Sequence, residues 1–171
     1  MIKPDNTRQR GFTLIEVLIV MGVIAVSLAL GGPALFKISN EIKLKNAARE
    51  TVSGMRMARY RAINESRDFG FSATTGTTIE APGVLTIFEG DDPALGLIRE
   101  IPMGGGVHVL TSEFGAADDT FVVFSPDGSA DNEGDIVFRN LNNRIITVSL
   151  NPASTARMQI SEIEDGPPLS P

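Results

Sequence analysis

The chain has 171 residues, and its 21 acidic and 15 basic residues give a formal net charge of −6 at pH 7. The absence of cysteine excludes a disulfide framework and any thiol site. Seven basic and three acidic residues give residues 12–63 a net charge of +4, whereas five basic and seventeen acidic residues give residues 64–171 a net charge of −12. The strongly acidic second part makes nucleic acid, or another anionic surface, an unfavourable partner for it.

The N-terminal region divides into a short basic leader and a long apolar run. The leader ends at Gly11, and the apolar run extends over 25 residues, from Phe12 to Phe36. A run of this length can span a bilayer as a helix. Its single charge is Glu16, although a carboxylate at the centre of a membrane-spanning helix costs about 2.5–3.5 kcal/mol. A residue of this kind indicates a functional partner.

The charges of the leader predict the orientation of this helix. Lys3, Arg8 and Arg10 precede the apolar run, and only Asp5 opposes them. By the positive-inside rule, the leader stays in the cytoplasm and the C-terminal part is exported. We therefore expect a single-pass membrane protein with an exported C-terminal domain, which in a Gram-negative cell lies in the periplasm.

The segment Arg10–Glu16, which reads RGFTLIE, and the apolar run behind it resemble the class III signal of type IV pilins and type II secretion pseudopilins. The resemblance implies that a prepilin peptidase cleaves between Gly11 and Phe12 and methylates the new amino group of Phe12. It also implies that Glu16 pairs with the N-terminal amine of a neighbouring subunit in a filament. The implied partners are the peptidase, the inner membrane, and major and other minor pseudopilins or pilins.

Two other interpretations of the N-terminus stay open. An ordinary secretory signal peptide also has a basic start, but its apolar stretch is only about 7–15 residues long and it has no use for an acid near its start. A plain signal anchor without a filament role would leave the match to the pilin signal as a coincidence.

Residues 37–67 are predicted to continue the helix into a globular part. Apolar residues recur there at steps of three or four, as in a helix that lies against a sheet. They are Leu44, Ala48, Val52, Met55, Ala58 and Ala62. The basic residues of this segment, from Lys37 to Arg61, are interpreted as a solvated polar face. Contacts with DNA or with acidic faces of neighbouring subunits are the alternatives.

A proline interrupts the long helical pattern. Pro33 follows Gly31 and Gly32, and a proline inside a helix removes one hydrogen bond and forces a kink. We therefore expect a bend or local melting at Pro33. Type IV pilins also tend to carry a proline at this place, which adds to the resemblance.

From Phe69 onward, short runs rich in Val, Ile and Phe alternate with Gly, Pro, Asp and Asn, which predicts strands and turns. The predicted strands are Phe69–Ala73, Val84–Glu89, Leu97–Ile101, Val107–Leu110, Phe121–Phe124, Asp135–Arg139, Arg144–Leu150 and Arg157–Ile163. The predicted fold is α+β, a long N-terminal membrane-spanning helix packed on a small antiparallel β-sheet head, as in pilins. The predicted segments are residues 1–11, 12–36, 37–67, 68–163 and an acidic, proline-rich tail at 164–171.

The globular part is similar to the GspH/FimT group of minor pseudopilins and minor pilins. The similarity lies in an Ala- and Arg-rich helix, residues 46–59, in the turn Phe124-Ser125-Pro126-Asp127-Gly128, and in the following hairpin strand at 144–148. Members commonly carry a Gly-Arg pair in a basic segment after the last hairpin. This chain keeps Arg157, lacks the glycine and ends in an acidic tail, so DNA uptake through this tail is not expected.

Catalytic and metal sites find little support in the sequence. The only histidine, His108, alternates with valines in a predicted strand, and Gly104-Gly105-Gly106 is not followed by the helix that a phosphate-binding loop requires. Acidic residues crowd the loops at 91–92, 118–119 and 127–135, but their spacing does not fit the calcium-binding EF-hand template. We interpret them as solvated turns, and we expect no catalytic residues, no metal and no cofactor.

Three functions remain to be distinguished. The first is a minor pseudopilin of a type II secretion system, a structural subunit of the filament that helps to export folded proteins across the outer membrane. The second is a minor type IV pilin that acts in pilus assembly or DNA uptake. The third is a signal-anchored periplasmic binding domain or enzyme.

Overall fold

The structure is a computed structural model that describes residues 12–76, 78, 80–103, 105–115 and 120–167. Within the first helix, the side chains of residues 30–35 and 37 also lie outside the described part. The chain separates into two compact units, Met1–Lys37 and Ile38–Pro171. Over the residues that are described, no helix combines the length and the apolar character needed to cross a membrane.

In the described residues, the regular structure consists of one α-helix, nine strands and a short 3₁₀ helix. The helix is α1 (Leu14–Glu65). The strands are β1 (Phe69–Ala73), β2 (Val84–Glu89), β3 (Leu97–Pro102), β4 (Val107–Phe114), β5 (Phe121–Phe124), β6 (Gly134–Asn140), β7 (Arg144–Leu150), β8 (Met158–Ile160) and β9 (Glu164–Asp165), with a 3₁₀ helix at Ala153–Thr155. The predicted α+β fold, with a long N-terminal helix and an antiparallel head, is confirmed. The helical assignment continues through residues 31–33, and the bend at Pro33 stays a prediction.

The antiparallel head contains two sheets. The first has the strand order β3-β2-β1-β5, and the second has the order β4-β6-β7-β8, with β9 also paired to β7. The division arises because β5 pairs with β1, from which it is far in sequence, and not with β4, which precedes it. Because of this long-range pairing, the strands form two separate hydrogen-bonded sheets.

Strand β4 is longer than the sequence predicted. Its ladder with β6 shifts register between Val109 and Thr111. Val107 and Val109 are buried before this irregularity, and Ser112 and Phe114 are buried after it. Because the irregularity changes which positions point inward, the simple alternation ends at Leu110 although the strand continues.

The C-terminal edge of the second sheet is made of two short strands. β8 lies inside the strand predicted at Arg157–Ile163 and is shorter than it, whereas β9 lies in the segment predicted as a tail. The ladder of β8 with β7 ends at the pair Val148–Ile160. At the next position the Ser161 hydroxyl accepts a hydrogen bond from the backbone N–H of Thr147, at 2.9 Å. The Ser161 N–H still donates to the Thr147 carbonyl oxygen at 2.9 Å. Strand β9 then resumes pairing at Ile145, so the edge strand is interrupted where a hydroxyl replaces the backbone carbonyl as the acceptor.

The core of the second unit lies between the C-terminal half of α1 and the two sheets. All six apolar positions predicted on the helix stripe are buried, with at most 6% of any residue exposed. The largest fully buried side chains of the sheets are phenylalanines, namely Phe69, Phe71, Phe88, Phe114, Phe124 and Phe138. Small residues on the helix, mostly alanines, leave room for these rings.

Gly54 on α1 allows a close approach of the helix to the first sheet. A β-carbon at Gly54 would lie 2.7 Å from the ring carbon Cε2 of Phe71. We predict that Gly54→Ala lowers the free energy of unfolding by about 1–3 kcal/mol through overpacking, although alanine favours a helix by about 1 kcal/mol over glycine. Thermal unfolding of the full chain in detergent, followed by circular dichroism, measures the change.

Ser53→Ala provides the matched control, because Ser53 is exposed on the same turn of α1. We expect this variant to be as stable as the native chain. A Gly54→Ala variant that is also equally or more stable would contradict the close approach of α1 to Phe71.

Candidate assembly site on the N-terminal helix

The first turn of α1 is closed by a threonine and carries one acid. The Thr13 hydroxyl accepts a hydrogen bond from the backbone N–H of Glu16 at 3.3 Å, and the Thr13 carbonyl oxygen accepts from the N–H groups of Glu16 and Val17 at 3.1 and 3.3 Å. Thr13 therefore acts as the N-cap, which satisfies donors that have no partner inside the helix. The acid Glu16 lies in the first turn, where a negative charge interacts favourably with the helix dipole.

The carboxylate of Glu16 is available for a partner. Among the described residues, its side-chain oxygens make no hydrogen bond and no ion pair within 4.0 Å. The residue lies in a shallow apolar groove of about 380 Å³. The other residues that line this groove are Phe12, Val17, Val20, Met21 and Ile24.

The apolar side chains of this helical segment are exposed on all sides. Twelve large apolar residues between Phe12 and Leu28 are 45–84% exposed, and none of residues 12–29 is buried. Transfer of such side chains out of water is favourable by about 1.5–3 kcal/mol each. Covering this segment therefore stabilises it by an amount on the order of 20 kcal/mol, which is larger than the whole stability of many domains. A helix with this surface needs a lipid or protein environment.

Two segments of the sequence match known families. Residues 6–32 match the prokaryotic N-terminal methylation motif. Residues 47–159, more than half of the chain, match the family described as type II transport protein GspH. The chain belongs to the GspH family. Together, the two matches place it in the type IV pilin and pseudopilin superfamily.

Solved structures share the fold of this GspH-family protein at low sequence identity. The minor pseudopilin EpsH from the type 2 secretion system of Vibrio cholerae is 12% identical, with a TM-score of 0.50 over 68% of this chain and 96% of that chain. The type IV minor pilin FimU of Pseudomonas aeruginosa is 15% identical, with a TM-score of 0.52 over 73% of this chain and 92% of that chain. No curated protein shows significant sequence similarity to the chain.

The predicted processing site is only partly described. Phe12 is 84% exposed at the start of the described segment, whereas Gly11 and the rest of the leader lie outside it. Phe12 and Glu16 line the same groove, with Phe12 immediately before the N-cap Thr13 and Glu16 in the first turn of α1. Cleavage after Gly11, methylation of Phe12 and pairing of Glu16 stay predictions.

The acidic loops of the head serve local hydrogen bonding. Asp127 Oδ1 accepts hydrogen bonds from the backbone N–H and the hydroxyl of Ser129 at 2.9 and 2.6 Å, and these bonds lower the pKa of Asp127. Asp131 Oδ1 accepts from the N–H of Val123 at 2.9 Å. Within the described part of the chain, no three histidine or acidic side chains are grouped so that they could hold a metal ion. Residues 118–119 lie outside that part.

His108 is half-buried on β4, an edge strand of the second sheet. It faces Arg139 across the ladder with β6. Burial lowers the pKa of His108 below its ordinary value of 6.5, and the positive charge of Arg139 lowers it further. Its ring nitrogen Nδ1 has no hydrogen-bond partner among the described residues. Burial and the neighbouring arginine therefore both favour the neutral form of this imidazole.

The structure also brings together residues that no sequence pattern connected. Arg157, which follows the 3₁₀ helix, lines a cleft with Arg56 and Arg59 of α1. About one hundred residues separate the two sides of the cleft in the sequence. No periodicity or motif links positions so far apart, so only the fold places them together.

The lowered pKa of His108 predicts a specific pH dependence of stability. Below pH 6.5 the unfolded chain takes up a proton at its ordinary pKa, whereas the folded chain resists protonation. The unfolded state then binds more protons, so the native chain loses stability as the pH falls below about 6.5. We expect His108→Gln to remove this contribution.

Melting temperatures of the two proteins, measured between about pH 8 and pH 5 where an ordinary imidazole titrates, test this prediction. The native chain should lose more stability on the acid side than the variant. Parallel curves for the two proteins would show that the histidine titrates alike in the folded and unfolded states.

Proposed function

We propose that the chain is a minor pseudopilin of a type II secretion system, a structural subunit of the filament that helps to export folded proteins across the outer membrane. The observation that carries the proposal is the exposed apolar helix whose first turn carries a carboxylate without a partner among the described residues. The family match over residues 47–159, described as a type II transport protein, favours secretion over pilus formation. The role is structural, with no catalytic step.

The N-terminal helix first anchors the subunit in the inner membrane. The 25-residue apolar run is long enough to span the bilayer. The three basic residues of the leader keep it in the cytoplasm, where the prepilin peptidase cleaves after Gly11. The head then lies in the periplasm. The exposed apolar side chains between Phe12 and Leu28 contact lipid until other subunits take the place of the lipid.

Cleavage creates the group that Glu16 needs. The new amine of Phe12, which the same peptidase methylates, carries a positive charge in the apolar filament core. A carboxylate or ammonium buried without a partner costs several kcal/mol, and pairing the two offsets this cost. The amine of one subunit reaches Glu16 of its neighbour at one axial stagger only, so the pair also fixes the register of the filament.

The acidic head weighs against DNA uptake as the main role. Residues 64–171 carry seventeen acidic and five basic residues, and a surface of this charge repels phosphates. The head therefore suits contacts with proteins, namely other filament subunits and exported substrates.

Photo-crosslinking tests the proposal directly. Val17 lies beside Glu16, is 45% exposed and lines the same groove. A photoreactive residue at Val17, introduced in the source cells, should trap pseudopilins of a secretion system, to be identified by mass spectrometry. Trapping of pilins would assign the chain to a pilus or uptake machine. Capture of lipid or unrelated proteins alone would overturn the filament role.

Glu16→Gln is predicted to block assembly without unfolding the head. The variant leaves the amine of the neighbour without a counter-charge in an apolar environment. Because such a loss costs about 3–5 kcal/mol, we expect the yield of crosslinks from Val17 to fall by at least about tenfold. Glu41→Gln is the matched control, since Glu41 is a half-exposed acid on the same helix and makes no ion pair in the described part. Equal crosslinking in both variants would refute the role of the Glu16 charge.

Processing leaves a signature at the N-terminus of the mature protein. Mass spectrometry of the native protein should find a chain that begins at Phe12 and carries one extra methyl group. Deletion of the prepilin peptidase should leave the full leader in place, because the chain is then not cut. A mature chain that begins at any other residue would contradict the class III signal.

A further inference from the structure

A cleft in the second unit concentrates positive charge on the acidic head. It has a volume of about 380 Å³ and lies between α1 and the segment 155–158. Arg56 and Arg59 line one side, and Thr155 and Arg157 line the other. Arg56, Thr155 and Arg157 are exposed, and Arg59 is half-buried, so the cleft is open to a partner.

The helical side of the cleft is fixed by a hydrogen bond to the turn after β5. Arg59 Nε donates to the carbonyl oxygen of Gly128 at 2.8 Å. Gly128 has a positive φ of 84°, and a β-carbon there would lie 3.1 Å from Ile63 Cδ1 and 3.4 Å from Arg59 Nε. Glycine therefore lets the turn approach the helix and hold this guanidinium in one orientation.

The opposite side of the cleft is held by the backbone of residues 151–157. The Ala153 N–H donates to Glu133 Oε1 at 3.1 Å, and the Ala153 carbonyl oxygen accepts from the Ala130 N–H at 2.9 Å. The Arg157 carbonyl oxygen accepts from the N–H of Asn151 at 2.9 Å. Because this segment is anchored at several points, Arg157 is presented to the cleft by an ordered turn.

The cations of the cleft have no anionic partner in the described part of the chain. The three ion pairs among the described residues involve arginines outside the cleft, namely Arg61, Arg67 and Arg144. Asp127, which precedes Gly128, directs its Oδ1 oxygen to Ser129 instead. Arginines gathered in one cleft are well suited to bind carboxylates or phosphates through charge-assisted hydrogen bonds.

We propose that this arginine cleft binds an acidic loop of an adjacent subunit in the filament, an inference that rests on the proposed function. The ligand is a short peptide segment with two or three carboxylates, of the kind that this head itself exposes at Asp91-Asp92. A segment of this size fits a cleft of about 380 Å³. A longer polyanion such as DNA would extend over a head whose residues 64–171 carry a net charge of −12, and it would be repelled there.

A binding experiment with the full chain in detergent micelles tests the chemistry. The probe is a fluorescent peptide of residues 88–94 of this chain, which contains Glu89, Asp91 and Asp92. Fluorescence anisotropy should show binding that weakens with added salt. The double variant R56Q/R157Q should weaken binding by about tenfold or more, since charged hydrogen bonds are lost.

Two controls make the result specific. The double variant K45Q/R49Q removes the same charge from exposed positions of α1 outside the cleft, and it should bind the peptide as the native chain does. A peptide with Gln and Asn in place of the three acids should not bind. Absence of peptide binding, equal loss in both double variants, or tighter cleft-dependent binding of a short DNA duplex would overturn the proposal.

Crosslinking in cells separates this inference from the filament role. A photoreactive residue at Thr155 should trap a filament subunit, and R56Q/R157Q should abolish that product while the product from Val17 persists. If Val17 traps subunits and Thr155 does not, the cleft has no docking role although the filament role stands. If neither position traps a subunit, the proposed function itself fails.

Discussion

The apolar surface of the first helical unit is the constraint on which the biology of this chain depends. Side chains from Phe12 to Leu28 are exposed on every side of the helix, and within the described part of Met1–Lys37 they have no sheet or second helix to pack against. Burial of such a surface is worth far more than a typical domain stability. The chain therefore requires an external apolar environment, such as lipid or other helices. In the proposed filament, the single carboxylate of Glu16 would add a defined register to this non-directional attraction.

The second unit differs from the first, because its apolar side chains are buried by its own residues. The C-terminal half of α1 carries mostly small buried residues, and the sheets supply the large aromatic ones. Gly54 facing Phe71 is the extreme case of this division, with no room for even a β-carbon. Such packing fixes the helix on the sheets, and this fixed geometry holds Arg59 against the turn at Gly128. The arginine cleft thus depends on core packing and is not an independent surface feature.

Local patterns were sufficient to predict much of this fold. Strands β1, β2, β5 and β7 begin and end at the predicted residues, because each is a short apolar run between strong turn formers. Prediction was poorer where the backbone departs from simple alternation, as at the register shift in β4 and at Ser161 between β8 and β9. The division into two sheets could not be predicted, since the pairing of β5 with β1 depends on contacts between residues about fifty positions apart.

The candidate sites also differ in whether a local pattern or a long-range contact defines them. Phe12 and Glu16 could be identified from sequence because they belong to one contiguous motif, and an isolated acid in an apolar run is visible without a structure. The arginine cleft could not be identified in this way. Arg157 was only the retained half of the Gly-Arg pair of the family. Arg56 and Arg59 were interpreted as part of a solvated helix face, with contacts to DNA or to acidic faces of neighbouring subunits as the alternatives. Because the fold places these three arginines in one cleft, the helix cations are no longer only a solvated face. The helix contributes cations to a head that is otherwise acidic, so the same surface presents both signs within one small domain. If the cleft binds an acidic loop of an adjacent subunit as proposed, this pairing of unlike charges gives contacts between heads an orientation that the apolar helix alone does not provide.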